Sequence, residues 1–422
     1  MTKNHILGMD IAQHSAVAQL DRVDGSTCWR GTLSTDQTGW QELEKNLLAH
    51  DADFATTLVL VEATGVYHLP WAERLTQARA AVYVLNPLLA ARLQSVANAL
   101  REHKTDPVDV ARLCETGRLY ADALGRFRYR PQPAQQGLKQ LDHARRQLRR
   151  TLTNLKKSLH SHLELVFPAL LQAKIDAASA RAAAILEKAP TAGAWAALPE
   201  AERQALARDK RAALDQACAA TLADEALAQA CVPALRALLH AEQAIAGQLH
   251  DCDATIQPRL PAARVALIRS LPGFGERTAA VMATYLPANF EDWGPRKKIV
   301  ARVQALFGCD PRLRQSGQWV GKVKLSKRGI AAGRTALFQA AFCSLQHDEE
   351  NAAYYHALRD EGKTHKAAIV DLMRKQVRRL VAVLCNNRPF VPAVTAPTTQ
   401  PRTQPNPPRR KPRLSKKPHA AA

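Results

Sequence analysis

Hydrophobic positions in the first 125 residues change between strand-like and helix-like patterns. Three short apolar runs between Ile6 and about Arg30 are separated by polar or glycine-containing turns, which is typical of a β-meander. The helical spacing of WQELEKNLLAH and the short β-branched run TTLVLVEATG then predict a helix and a buried strand. A helix, a strand in AVYVLNP and further helices follow. The pattern predicts a mixed sheet covered by helices over residues 1–125.

Two long helical stripes follow a segment rich in Pro, Gln and Arg, RFRYRPQPAQQG, which looks like a linker or hinge. Leucines recur at intervals of three, four or seven from Leu138 to Leu163, with Arg and Lys between them. A second stripe runs from Leu235 to Ile256. The stripes indicate an antiparallel helical hairpin or a coiled-coil dimerisation arm within residues 126–262, and packing rather than cofactor binding accounts for them.

The last third of the chain divides into a mostly helical region, residues 263–388, and a tail, residues 389–422. The tail has no acidic residue and is dense in Pro. Such a segment cannot bury enough apolar surface to offset its ordering entropy, so it is expected to be disordered. Its Lys and Arg residues could contact phosphates electrostatically.

The charge balance indicates that this multidomain protein has a polyanionic partner. The chain has 59 Lys and Arg against 38 Asp and Glu, a formal net charge of +21. Nucleic acid is the first candidate partner. A membrane is not expected, because the chain lacks a run of about 18 apolar residues and a basic amphipathic anchor at either end.

The compartment follows from the first residues and from the cysteines. The opening MTKNHILGMDIAQ lacks the three parts of a signal peptide, so a cytoplasmic protein is expected. The eight cysteines are scattered without a CxxC pair. Free thiols of a reducing compartment explain them better than disulfides, and no zinc site is predicted.

Two acidic residues stand where a strand otherwise favours burial. Asp10 lies in GMDIA, and Glu62 ends the apolar run of LVLVEATG. A buried charge costs free energy unless it is compensated, and two acids at neighbouring strand ends repel each other unless a cation lies between them. Mg²⁺ suits such a site because it takes hard oxygen ligands. The alternative for Asp10 is a strand-end acid satisfied by its neighbours.

A second acidic pair stands in HKTDPVDVARL. Asp106 and Asp109 are three residues apart at the start of a predicted helix, so both project to one side of its first turn. Taken alone, the pair also fits helix capping, since Asp before Pro is a good N-cap and an acid in the first turn favours the positive helix end. The four acids in the order strand, strand, helix form a more specific signal than any one of them.

The three segments GMDIA, LVLVEATG and HKTDPVDVARL together resemble the DEDD motif of a known family. The motif belongs to the RuvC-like (RNase H fold) domain of insertion-sequence transposases of the IS-one-ten family, relatives of the Piv and MooV invertases. The resemblance implies that the four acids are catalytic and bind Mg²⁺, with Mn²⁺ as a substitute. In phosphoryl transfer, paired divalent ions stabilise the attacking and leaving oxygens.

The hydrophobic pattern and the resemblance together give the expected architecture of the chain. The expected fold class is an α/β RNase H-like (RuvC-like) N-terminal domain, a long α-helical coiled-coil insertion and a mostly α C-terminal domain. The C-terminal part includes LIRSLPGFGERTAAVMATYL, which resembles a helix-hairpin-helix. Gly273 and Gly275 allow a tight turn with bare N–H groups beside a helix beginning near Glu276, so a DNA phosphate could dock there. The alternative is a Gly-rich helix connector.

The segment from WGPRKK to ALFQAAF resembles the second conserved block of the same family. The resemblance implies that Ser316, in its SG pair, is the nucleophile; a serine hydroxyl needs a base, a cation or a metal to react. GCDP and GIAAGR depart from the usual family pattern. A turn role is the alternative for Ser316, and Ser326 is the alternative nucleophile. Five cations are expected to bind nucleic acid: Lys322, Lys324, Lys327, Arg328 and Arg334.

The implied function is that of a transposase or site-specific DNA recombinase. Family members cleave and exchange strands with Mg²⁺ through a covalent phosphoserine intermediate, as oligomers and with a structured bridge RNA. DNA, a bridge RNA and a homo-oligomer, dimer or tetramer, are therefore the expected partners. The acids and Ser316 lie about 200 residues apart, so they must meet through folding or between protomers.

Three other functions account for part of the sequence. A RuvC-like nuclease or junction resolvase would use metal-activated water and leave free 5′-phosphate ends. A sugar-kinase or actin-like ATPase also opens with G-x-D and a β-hairpin, but its further Gly-rich phosphate loops are not visible here. A non-catalytic architectural DNA binder would explain the charge and leave the four acids unexplained.

Overall fold

The computed structural model describes residues 3–63, 65–87, 90, 106–312, 315–316, 319–320 and 324–392. At positions 106, 126, 315, 316, 319, 320 and 324 only the backbone is described. The chain divides into two compact units, Met1–Ala134 and Gln135–Ala422, here called unit 1 and unit 2. The predicted basic tail lies almost entirely outside the described residues.

Unit 1 contains a five-stranded sheet in the order β3-β2-β1-β4-β5. Its elements in chain order are β1 (His5–Ile11), β2 (Ser15–Arg22), β3 (Thr27–Ser34), α1 (Gln37–Ala49), β4 (Thr57–Glu62), α2 (His68–Gln77), β5 (Ala81–Leu85) and α3 (Asp106–Tyr120). The first three strands are antiparallel, and β1, β4 and β5 are parallel. The predicted meander and mixed α/β sheet are confirmed.

Both faces of this sheet are covered, which explains the apolar runs in β1 and β4. Successive side chains of a strand point to opposite faces. Leu7 and Met9 of β1 pack with Leu43 of α1 on one face, whereas Ile6 packs with Leu113 of α3 on the other. A short 3₁₀ helix, Ala121–Phe127, closes the second face.

Unit 2 is mostly helical, as predicted. Its elements are α4 (Pro133–Val166), α5 (Pro168–Gln172), α6 (Ala180–Lys188), α7 (Ala192–Ala197), α8 (Glu200–Ala207), α9 (Arg211–Ala219), α10 (Glu225–Ile256), α11 (Ala262–Arg269), α12 (Glu276–Tyr285), α13 (Arg296–Leu306), β6 (Pro311–Arg312), β7 (Gln315–Ser316), β8 (Trp319–Val320), β9 (Lys324–Leu325), α14 (Ala331–Ser344), α15 (Glu349–Asp360) and α16 (His365–Asn386). Helix α4 begins inside the predicted linker, because Pro133 suits the first turn of a helix.

Helices α4 and α10 are the two predicted leucine stripes, and they run antiparallel. Arg145 of α4 bonds to Asp253 near the end of α10, whereas Lys156, farther along α4, lies 3.6 Å from Glu242, earlier in α10. One end of this hairpin packs with α5–α9 around a core that includes Trp195. The other end joins a second core built by α11–α16.

Two further observations concern the whole described chain. All eight cysteines are free; Cys114 and Cys309 are buried, and Cys343 is exposed. None of the described helices is both long and apolar enough to cross a membrane.

Candidate functional site

Asp10 and Glu62 are positioned by the two central strands of unit 1. Strands β1 and β4 are parallel, and the last pair in their register is Met9 with Val61. Asp10 and Glu62 are the next residues on the two strands, so they stand side by side at the carboxyl ends. Both are half-buried. The sheet thus brings together two of the predicted acids.

Helix α3 covers the face on which these two acids lie. A Cβ added at Gly8 would be 2.6 Å from the carbonyl oxygen of Val110. A Cβ added at Gly117 would be 2.7 Å from Leu60. Gly8 and Leu60 therefore face α3, and the residues two positions farther along each strand share that face.

The direction of α3 places its first turn near the same strand ends. Gly117 lies over Ile6, near the start of β1, and Val110, nearer the helix start, lies over Gly8. Continuing one turn brings the first residues of α3 toward the carboxyl ends of β1 and β4. The helix begins at Asp106, whose side chain is outside the described residues.

Asp109 has a partner within its own helix. Its carboxylate accepts a bond from Arg112 at 3.0 Å, and both side chains are 14% exposed. Such an i, i+3 pair is a local arrangement that a helix provides by itself. The pairing compensates part of the charge of Asp109 and is compatible with both the capping and the metal-binding interpretation.

The residues at the strand ends fit a divalent cation. Two neighbouring half-buried carboxylates repel each other, and they supply the hard oxygen donors that Mg²⁺ prefers. Among the side chains that the structure describes, no three His, Cys, Asp or Glu residues lie close enough to hold a metal ion. The side chain of Asp106 is not among those described. The metal assignment of the four acids therefore stays a prediction.

The predicted nucleophile lies in one of two very short antiparallel strand pairs. Ser316 in β7 pairs with Trp319 in β8, and Pro311 in β6 pairs with Leu325 in β9. The backbone of Ser316 is described and its side chain is not. Lys322 and the side chain of Lys324 also lie outside the described residues, so their predicted contacts remain predictions.

Ser326, the alternative nucleophile, has a defined environment. Its hydroxyl donates to the carboxylate of Asp310, and its backbone N–H donates to the Asp310 carbonyl at 3.0 Å. The backbone N–H of Arg328 lies 3.5 Å from the same hydroxyl. These hydrogen bonds stabilise the turn before α14. An acidic partner would also suit a nucleophile, so the geometry leaves both roles open.

Of the five predicted cations, three have described side chains. Lys327 and Arg328 are exposed, and Lys327 has a left-handed backbone with φ of 54°. Arg334 instead donates to the backbone carbonyls of Phe307 and Gly329 at 3.2 and 3.4 Å. Its guanidinium thus holds two chain segments together, a role that the sequence did not indicate.

The glycine motif connects α11 to α12. Gly273 has φ of +85°, and an added Cβ would lie 2.0 Å from the carbonyl oxygen of Ala340. Close packing therefore requires a glycine there, independently of any ligand. Gly275 is the N-cap of α12, and nothing lies within 4 Å of an added Cβ. The Gly275 side of the turn is open, and phosphate binding by the motif stays a prediction.

A buried polar network between α4 and α12 was missed by the sequence analysis. The hydroxyl of Tyr285 donates to the carboxylate of Asp142 and accepts from Arg146, both at 2.7 Å. Burial and the bond to Asp142 raise the pKa of Tyr285 far above its usual range, so it stays protonated. The sequence contains one indication of this network: Asp142 is the one acidic residue of α4 before Glu164.

Two models of known protein families match parts of this chain. A family model for the DEDD domain of the IS110 type, described as "Transposase", matches residues 7–168. A second model, described as "Transposase IS116/IS110/IS902 family", matches residues 265–356. Together they match more than half of the chain.

Two similar proteins come from insertion elements. The insertion element IS900 uncharacterized 42 kDa protein of Mycobacterium paratuberculosis is 31% identical over 149 residues, 35% of this chain and 36% of that protein. The insertion element IS110 uncharacterized 43.6 kDa protein of Streptomyces coelicolor is 29% identical over 118 residues, 28% of each chain. The chain thus spans about a third of the length of the relatives it matches.

These matches define the class of protein, a transposase of insertion sequences. Within that class the chain belongs to the IS110 type, the IS-one-ten family that the DEDD resemblance indicated. The predicted family is confirmed.

Proposed function

We propose that this protein cleaves and rejoins DNA strands as the Mg²⁺-dependent transposase of an insertion sequence. The observation that carries the proposal is the side-by-side placement of Asp10 and Glu62 at the carboxyl ends of β1 and β4, on the face covered by α3. A surface salt bridge or a helix cap would account for a single acid. Neither accounts for two half-buried acids side by side on adjacent strands. Membership of the family supplies the reaction class.

An RNase H-like, RuvC-like fold for unit 1 is part of this proposal. It is supported by the strand order β3-β2-β1-β4-β5, with an antiparallel meander followed by two parallel strands. The order places β1 and β4 next to each other, so acids on both strands can share one cation. Asp106 and Asp109, in the first turn of α3, complete the proposed set of ligands for Mg²⁺ or Mn²⁺.

The chemistry assigned to the chain's own residues is a serine-mediated transfer. The Ser316 oxygen attacks the scissile phosphorus, an O–P ester bond forms, and the P–O bond to the departing strand breaks. The serine proton leaves to a base or solvent, and the departing oxygen ends as a hydroxyl. Bound Mg²⁺ stabilises the charge that develops on the phosphate oxygens. Lys327 and Arg328, both exposed, bind the neighbouring phosphates.

The assembly and its partners are proposed on the same basis. The antiparallel hairpin of α4 and α10, within the region 126–262, acts as a coiled-coil arm that joins protomers into a dimer or tetramer. Residues 263–388 carry the serine and the DNA-binding turn at Gly275. A bridge RNA pairs with donor and target DNA, and the chain's net charge of +21 suits both nucleic acids.

The covalent intermediate provides the test of this proposal. The protein is incubated with Mg²⁺ and a labelled duplex bearing the element ends, and the products are separated on a denaturing gel. We expect a protein–DNA adduct that Ser316→Ala abolishes and Ser326→Ala leaves in place. Free 5′-phosphate ends without an adduct would instead identify a nuclease that uses water. A fully active Ser316→Ala variant would exclude the serine mechanism.

A further inference from the structure

Helix α4 carries its positive charges on one side. From His143 to Leu163 it contains no acidic residue. Arg150 and Lys157 are seven residues apart, almost two turns, so they lie on one line opposite the leucine seam. Arg149 and Lys156 share the neighbouring line. On the other side of the line through Arg150 and Lys157, the helix surface carries uncharged polar residues: Gln140, Gln147, Thr151, Asn154, Ser158 and Ser161.

Several cations of α4 are already used within unit 2. Arg145 bonds to Asp253, Arg146 bonds to Asp142 at 2.9 Å, and Lys156 lies 3.6 Å from Glu242. Arg149, Arg150 and Lys157 differ from these. They are exposed, and among the described residues no carboxylate pairs with them. These three side chains, here called the basic ridge, are available to an external anion.

The basic ridge continues toward the glycine turn that precedes α12. Arg277, in the first turn of α12, lies 3.5 Å from Asp253, which also bonds to Arg145. Burial lowers the pKa of Arg277 below its usual range, and repulsion from Arg145 and Arg149 lowers it further. The first turn of α12, which follows Gly275, therefore lies near the Arg149 end of the ridge on α4.

We propose that the basic ridge of α4 binds the phosphate backbone of the DNA duplex that docks at Gly275. From Arg150 to Lys157 the ridge covers about 11 Å, at about 1.5 Å per residue. That length corresponds to roughly three phosphates of one strand at about 3.4 Å per nucleotide. The inference rests on the proposed function, and it assigns to α4 a direct nucleic-acid contact besides packing and dimerisation.

The composition of the helix favours a duplex over a single strand. Binding of unpaired bases relies on aromatic side chains on which the bases stack. Helix α4 has no Phe, Tyr or Trp among its 34 residues. Its exposed groups next to the cations are hydroxyls and amides, which also bond to phosphate oxygens. The ridge is therefore suited to a backbone and not to bases.

The test compares two triple variants of the full chain in EDTA, so that binding is measured without cleavage. The first changes the ridge: Arg149→Gln, Arg150→Gln and Lys157→Gln. The matched control changes three exposed cations elsewhere in unit 2 that lack a described ion pair: Arg236→Gln, Lys366→Gln and Arg378→Gln. Glutamine keeps the helix propensity of Arg and Lys, and circular dichroism verifies folding.

Fluorescence anisotropy with a duplex DNA is read at several salt concentrations. We expect the ridge variant to bind roughly tenfold or more weakly, with a salt slope reduced by about 2 to 3 units, because each phosphate contact contributes about 0.9. The control should change far less. Equal losses in both variants, unchanged binding of the ridge variant, or selective loss of duplex RNA binding would overturn the inference. If the ridge effect is observed but the wild-type protein does not cleave DNA in Mg²⁺, only the proposed function is contradicted.

Discussion

The two units hold their candidate chemical groups by different structural means. In unit 1, Asp10 and Glu62 stand on the two central strands of a sheet that is covered on both faces. In unit 2, Ser316 stands on a two-residue strand, and the nearby turn is held by side-chain bonds such as that of Ser326 to Asp310. Long paired strands thus hold the acids, whereas the serine lies on one very short strand pair beside a turn that is held by individual polar contacts.

This difference predicts how each unit responds to substitution. A site built on paired strands tolerates a change of charge without loss of fold, because backbone hydrogen bonds maintain the strands. A site built on side-chain contacts loses its geometry when one contact is removed. The following changes test that contrast, from the largest expected effect to the smallest.

Neutralising a strand-end acid should abolish most activity and leave the fold intact. Asp10→Asn or Glu62→Gln removes a charge that a bound cation needs, and we expect strand cleavage to fall by at least roughly 100-fold. Cleavage of a labelled duplex measures this loss. Without metal, either variant should keep the wild-type fold, because backbone pairing of β1 with β2 and β4 holds the strand ends; circular dichroism checks this.

Glu42→Gln serves as the control for these two variants. Glu42 is an exposed acid on α1 of the same unit. Its replacement should leave cleavage unchanged. A large loss of activity in this variant, or normal cleavage by Asp10→Asn, would mean that the strand ends do not form the site.

Gly8→Ala should disturb the contact between β1 and α3. The added Cβ would lie 2.6 Å from the carbonyl oxygen of Val110, and we expect a loss of about 2 to 3 kcal/mol of unfolding free energy. Urea denaturation gives the value. Cleavage should fall as well, because the start of α3 is displaced from the strand ends. Wild-type stability would show that α3 does not pack closely on this face.

Tyr285→Phe should weaken the network that joins α4 to α12. Removing the hydroxyl takes one hydrogen bond from the buried Asp142 carboxylate, which keeps its bond to Arg146, at a cost of about 1.5 to 2 kcal/mol. Tyr355→Phe is the matched control, since the Tyr355 hydroxyl contacts His365 at the surface. Its effect should stay within about 0.5 kcal/mol. Equal effects of both variants on urea unfolding would contradict the role of the network.

Gly137→Ala is the smallest expected effect and has the opposite sign. Gly137 lies in the first turns of α4, and nothing is within 4 Å of an added Cβ. Alanine should therefore stabilise the helix by about 0.5 to 1 kcal/mol. A decrease of the unfolding free energy would show that this part of the predicted linker is not helical in solution.

The sequence predicted the acids of unit 1 better than the contacts of unit 2, for a physical reason. An acid within an apolar strand conflicts with its own local pattern, so Asp10 and Glu62 could be recognised from neighbouring residues. The parallel pairing of β1 with β4 then made them neighbours. The contact of Asp142 with Tyr285 joins residues 143 positions apart, and no local pattern specifies that pairing.

Other differences have local causes. The linker predicted from Pro and Gln content is partly helical because Pro133 stands at a helix start, where proline is tolerated. Gly273 was assigned to phosphate binding, but its close approach to Ala340 depends on tertiary packing. The turn at Gly275 could be predicted from the motif, whereas the packing of Gly273 against Ala340 could not; phosphate binding at the turn stays a prediction.

Direct metal binding is the measurement that tests the central claim most closely. Mn²⁺ binding to the full chain without DNA can be followed by electron paramagnetic resonance for wild type, Asp10→Asn, Glu62→Gln and Glu42→Gln. The account predicts a Mn²⁺ site in wild type and in Glu42→Gln that is weakened at least roughly tenfold in the two strand-end variants. Equal Mn²⁺ binding by all four proteins would contradict a metal site built on Asp10 and Glu62.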